Sequence, residues 1–130
     1  MKTVKANRKV WQVYALTVLL VMSFKVVAQP IKPGQVWKYA SRPQEPESRL
    51  IVCKVENNAR LGSIVHVMIT NLRLTDSTGP AKETARIAHM PLSRSAFEKS
   101  AIEVVELMAV PEGYIAGYND WAKLLQAGQA

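Results

Sequence analysis

The chain has 130 residues, with 17 Lys/Arg, 10 Asp/Glu and one cysteine, a size that fits one domain. Its net charge of +7 belongs to the start of the chain. Lys2, Lys5, Arg8, Lys9 and Lys25 lie in residues 1–28, which hold no Asp or Glu, and residues 29–130 keep 12 basic against 10 acidic side chains. That near-balance excludes a nucleic-acid reading built on charge, and the lone Cys53 excludes an intrachain disulfide framework.

Residues 2–9 are basic. Val10 to Phe24 is apolar apart from Gln12, Thr17 and Ser23, and Val26-Val27-Ala28 sets small or β-branched residues ahead of Gln29. This pattern predicts a signal peptide over 1–28 and a periplasmic or secreted domain over 29–130. The apolar run is short for a span, which needs about 20 residues. The alternative is an uncleaved inner-membrane anchor over residues 10–28.

The mature part opens with a Pro/Gly-rich lead-in, Gln29 to Gly34. Gln35 to Ala40 predicts a first strand, with Val36 and Lys38 on one face and Trp37 and Tyr39 on the other. Ser41 to Ser48 is a polar loop with two prolines. Arg49 to Glu56 predicts a second strand, with Ile51, Cys53 and Val55 on one side. Asn57 to Gly62 predicts a hairpin turn, its asparagines suited to left-handed backbone.

Ser63 to Leu74 predicts the central strand. Val65, Val67 and Ile69 form one face, and Ile64, His66, Met68 and Leu72 the other. Both faces are mostly apolar, so both require cover. Thr75 to Thr84 reads as a solvated loop. Ala85 to Met90 predicts a fourth strand, ended by Pro91.

Two helices are predicted next. Ser95 and Glu98 match a capping box. Phe97, Ala101, Val104, Val105 and Met108 recur at helical spacing, with Pro111 and Gly113 as the stop. Tyr114, Tyr118, Trp121 and Leu125 repeat the spacing in a second helix, which Gly117 weakens. The order predicts an α+β fold: an antiparallel sheet of about four strands with two C-terminal helices packed on one face.

His66, His89 and Cys53 are the side chains with the most chemistry. Two histidines with carboxylates make a metal site, and a Cys–His pair makes a nucleophile and base. Neither has motif spacing here. Cys53 alternates with apolar neighbours and reads as a small buried residue, although an unpaired cysteine leaves a disulfide-linked dimer open. His66 reads first as a buried, hydrogen-bonded histidine, and His89 lies at a strand end, where sites occur. Arg42, Glu45, Glu47 and Arg49 share the polar loop, either as mutual charge pairs or as a binding edge. The aromatics Trp37, Tyr39, Tyr114, Tyr118 and Trp121 read as core or as a platform.

PGQVWKYASRPQEPESRLIV, GSIVHVMITNLRL, IAHMPLSRSAFEKS and EGYIAGYNDWAKLLQAGQA together span nearly all of 33–130. In these segments the chain resembles a family of small bacterial proteins without an assigned activity. The matching positions are Trp37, Arg42, Glu45, His66, His89, Pro91, Gly117, Tyr118 and Trp121. The resemblance implies a shared fold, with relatives running on beyond 128–130, and brings no mechanism.

The leading expectation is a non-enzymatic binding protein of a bacterial cell envelope, of inhibitor or immunity type. Its candidate binding residues are Arg42, Glu45, His66 and His89, its partner another envelope protein. No cofactor, metal or nucleic acid is expected, and membrane contact comes only through an uncleaved N-terminal segment. The alternatives are a small enzyme or metal-binding protein using His66 and His89, and a membrane-tethered structural subunit.

Overall fold

The structure is a computed structural model that describes residues 29–73 and 84–128. The expected signal segment, Leu74 at the end of the expected central strand, the 75–83 part of the solvated loop and residues 129–130 lie outside the described residues. The chain divides into two units, Met1–Pro30 and Ile31–Ala130, and all the described strands and helices belong to the second.

Five strands form one antiparallel sheet in the order β4-β3-β2-β1-β5. They are β1 (Gln35–Tyr39), β2 (Arg49–Asn58), β3 (Gly62–Arg73), β4 (Thr84–Ser93) and β5 (Ala101–Leu107). Two helices, α1 (Arg94–Ser100) and α2 (Ile115–Gln126), complete the α+β fold, α2 following a single 3-10 turn over Glu112–Tyr114. No helix among the described residues is long and apolar enough to cross a membrane.

β3 is interior and buried without a break from Ile64 to Ile69. Val65, Val67 and Ile69 join Trp37, Leu50, Val52 and Phe97 in one cluster. Met68 joins Val36, Ile51 and Cys53 in a second, against Val110 and Tyr114. Phe97 of α1 covers the first face, edge-on to Trp37 at 5.4 Å. α2 lies over the second, with Tyr118 and Trp121 against His66. The helices therefore lie on opposite faces rather than on one, because a strand apolar on both sides exposes core unless each side is roofed.

Two faces change partway along their strands. Lys54 stands opposite His66 while Val52 stands opposite Val67, so Cys53 is an extra residue in β2. Past that bulge the alternation inverts, and Val55 packs with the Trp37 cluster instead of with Ile51 and Cys53. In β3, Asn71 takes a positive φ of 53°, and a register shift falls between Ile69 and Leu72. Leu72 is thereby turned onto the Val65 face, away from His66. At the β2–β3 hairpin it is Gly62, at φ 79°, that turns left-handed. Asn58 instead accepts from the amides of Arg60 and Leu61 at 2.9 Å.

The expected long helix after Ser95 resolves into two elements. Ser93, not Ser95, caps α1 and accepts from the Ala96 amide at 3.1 Å. The Ser100 hydroxyl donates to the carbonyls of Ala96 and Phe97, and Ala101 is extended. The chain then continues as β5 along the open side of β1. Pro91 does not end β4, which runs through it to Ser93 opposite β3. β4 is an edge strand, where a missing donor on the outer side breaks no ladder bond.

Gly117 sets how close α2 comes to the sheet. A Cβ there would stand 2.8 Å from the Cβ of His89, closer than two such atoms approach. Gly117→Ala gains about 1 kcal/mol of helix propensity, yet overpacking against a backbone-fixed atom costs about 1–3 kcal/mol. We expect net destabilisation, read as a lower Tm in thermal unfolding; an unchanged or raised Tm would contradict the close approach.

Candidate functional site

His66 is 0% exposed, and a buried imidazole needs a partner for each ring nitrogen. Its Nε2 lies 2.7 Å from Oε1 of Glu56, and its Nδ1 lies 2.9 Å from Nε2 of His89. A carboxylate only accepts, so the His66 proton sits on Nε2. His66 Nδ1 is then an acceptor, and His89 donates to it from Nε2. The two rings are within 18° of parallel with centroids 5.1 Å apart. Together with the short N···N distance, this makes them hydrogen-bonded edge to edge rather than stacked.

The chain of bonds continues on the other side of Glu56. Tyr118 donates its hydroxyl proton to Glu56 Oε2 at 3.1 Å, and Lys54 Nζ donates to the Tyr118 oxygen at 3.0 Å. Lys54 also stands 4.2 Å from the centre of the Tyr118 ring, within cation–π range. Tyr118 and Trp121 meet His66 edge-on, at 4.9 and 4.8 Å between centroids. Lys54, Tyr118, Glu56, His66 and His89 thus form one continuous chain tying β2, β3 and β4 to α2.

The bulge at Cys53 makes this arrangement possible. With strict alternation, Lys54 and Glu56 would follow Val52 onto the opposite face. The extra residue re-aims both onto the face of His66.

Burial lowers the pKa of both histidines. For His66 desolvation outweighs the opposing hydrogen bond and charge of Glu56, and Lys54 adds to the lowering. For His89 desolvation leads and His66 adds to it. The hydrogen bond from Lys54 to Tyr118 leads the causes that raise the Lys54 pKa. The pair is therefore neutral at pH 7, and His89 Nδ1 is left with no hydrogen-bond partner among the described residues. Chemically this is a tautomer-fixed base. It lies beneath Gly117, where an added Cβ would come 3.5 Å from Nδ1.

Arg42 and Glu45 do not join it. Arg42 holds Glu45 in a two-pronged pair at 2.7 and 2.9 Å, and Glu45 Oε2 also accepts from the Arg73 amide at 3.0 Å. Arg73 is seven residues beyond His66 on β3, roughly 20 Å along a strand. Glu45 is 3% exposed, held at about 2 by the Arg42 and Arg73 bonds. Ser48, which donates to the Thr70 carbonyl and bonds the Tyr39 hydroxyl at 2.6 Å, pins the same loop. The loop is a staple on the end of β3, with Arg42 and Glu45 turned to each other, whereas Arg49 donates to the carbonyls of Pro46 and Ser48.

Cys53 is a free, buried thiol whose pKa burial raises to about 11. It donates to the Ile51 carbonyl at 3.6 Å, not to a histidine, and its burial opposes an intermolecular disulfide. No group of three or more His, Cys, Asp or Glu among the described residues is arranged to hold a metal ion; both nitrogens of His66 are already engaged. The chain matches no family model, no curated protein and no solved structure.

Stability depends on pH through both places. Between their lowered native pKa values and the ordinary value near 6.5, the unfolded chain binds more protons at His66 and His89 than the native one. Stability is therefore full above about 6.5 and falls as the pH drops below it. Proton NMR titration should place both imidazole midpoints below about 6.5; a midpoint above it contradicts the neutral pair. Glu45, with its depressed pKa, contributes fully above the ordinary carboxylate range, and its contribution is lost as the pH falls toward about 2. Glu45→Gln should lower stability at pH 7 and flatten that acid limb in denaturant melts; a limb of unchanged slope contradicts the staple.

Proposed function

We propose that the chain is a non-enzymatic binding protein of a bacterial cell envelope, of inhibitor or immunity type, acting on another envelope protein. The observation that carries this is its surface. Ile102, Val105, Leu107 and Met108 are 57, 48, 73 and 41% exposed within seven residues of one edge of the sheet. Exposed apolar residues clustered along one strand are a mark of interaction sites, whereas scattered single ones are not. The polar candidates support the reading from the other side, being engaged internally: Arg42 binds Glu45, and His66 binds Glu56 and His89. The signal-like pattern of residues 1–28 supports the envelope setting. Mass spectrometry of the exported product distinguishes a chain starting at Gln29 from one anchored through residues 10–28.

The test is retention of one defined protein from envelope extract by the immobilised chain at micromolar concentration, and its loss with Leu107→Lys. No retention, or retention indifferent to that change, contradicts the reading.

A second reading, a small enzyme or metal-binding protein using His66 and His89, rests on one observation: the Nδ1 of His89 has no hydrogen-bond partner among the described residues. Zinc and copper titrations of the native chain and of a His66→Ala/His89→Ala variant decide it. Identical isotherms remove the metal version.

A further inference from the structure

Among the described residues β5 is an outermost strand, paired only with β1. Such a strand carries a row of backbone donors and acceptors on its open side, a template for another chain. The two edges of this sheet treat that hazard differently. β4 carries Pro91, which has no N–H to offer a newcomer. β5 has no proline over Ala101–Leu107 and displays Ile102, Val105 and Leu107. Met108, the next residue, is fixed by its amide donating to the Gly34 carbonyl at 2.8 Å. This edge is thus held extended at its end.

The charge on β5 is one-signed. Residues 101–112 hold Glu103, Glu106 and Glu112 and no Lys or Arg. Lys38 stands across from Glu103 on β1, whereas Glu106 stands across from Val36 and has no basic neighbour across the ladder. Exposed acidic residues between exposed apolar ones suit a strand whose side chains alternate basic and β-branched. A second copy of β5 suits the edge poorly, since it would bring two more glutamates against these. The two irregularities in the β1–β5 register, between Val36 and Trp37 and between Lys38 and Tyr39, add local twist and admit only a short segment.

We propose that the outer edge of β5, residues 101–107, accepts a short extended segment of a partner protein, with Lys or Arg alternating with β-branched residues, as a sixth strand of the sheet. Backbone pairing supplies attachment, and Glu103 and Glu106 select for charge. The proposal rests on the binding-protein reading and names its partner class.

The probe is an end-blocked, fluorescein-labelled (Lys-Val)3 peptide, titrated into the full chain and followed by anisotropy at physiological salt. The comparison peptides are (Glu-Val)3 and a (Lys-Val)3 N-methylated at alternate amides, which keeps charge and side chains but removes ladder donors. Binding of (Lys-Val)3 is expected in the micromolar range, with (Glu-Val)3 silent. N-methylation on the pairing side should weaken binding about tenfold or more. Glu103→Gln/Glu106→Gln should weaken it several-fold with an unchanged circular dichroism spectrum, and the amides of 101–107 should slow in hydrogen exchange when peptide is bound.

Equal binding of the N-methylated peptide, equal binding of (Glu-Val)3, or no binding overturns the proposal. So does a dimer in sedimentation that Leu107→Lys dissociates. The two readings fail separately: envelope-protein retention abolished by Leu107→Lys but indifferent to Glu103→Gln/Glu106→Gln keeps the binding function and removes the strand addition.

Discussion

A fully buried imidazole forces a solution on everything around it. Its two nitrogens lie in one plane and point apart, so two partners must reach it from different directions. Here Glu56 comes from β2 and His89 from β4, and the ring edges of Tyr118 and Trp121 complete the enclosure from α2. Loss of either polar partner would leave a buried donor or acceptor unmet, at about 1–3 kcal/mol. That penalty locks the register of three strands and the seat of a helix to one side chain. The apolar clusters supply the bulk of the driving force, but β3 is apolar on both faces, so burial alone discriminates weakly against a one-residue slip. The hydrogen-bonded chain from Lys54 to His89 discriminates strongly.

The same logic explains why the polar loop over 41–48 is ordered. Glu45 is buried at a strand end with Arg42 and the Arg73 amide as partners. A carboxylate shielded from water in this way is stable only when paired and hydrogen-bonded. Both ends of β3 are therefore closed by a polar device, His66 near its start and Arg73 at its finish. The apolar residues between them pack on two sides.

Much of this is legible in the sequence. The unbroken apolar run Ile64 to Ile69 identifies an interior strand, and Trp37 and the Tyr118/Trp121 spacing place β1 and α2. His66 and His89, 23 positions apart, stand out by their chemistry, yet their meeting depends on β3–β4 pairing, which local pattern does not encode. Glu56 escapes a sequence reading because strict alternation puts it on the wrong face, and only the Cys53 bulge corrects that. The long helix expected through Met108 does not form, for a related reason. Ala101 stands opposite Tyr39 and Val104 opposite Trp37, so three residues of β5 match two of β1. Bulges stretch the strand period from two to three, and an apolar stripe at that spacing imitates a helix. The signal that separates them is composition: Ile102, Val104 and Val105 put three β-branched residues in four positions.

The extra residue at Cys53 also bears on how this chain can be matched to others. An ancestor or cousin with a regular second strand would lack one position in the middle of it, between two stretches that otherwise correspond. Aligning the pair correctly demands a gap inside a core strand, where gaps are least expected. Omitting that gap would shift Glu56 by one and dissolve its correspondence with any carboxylate facing a histidine. The side chains around His66 are better compared by their place in the sheet than by their order in the chain.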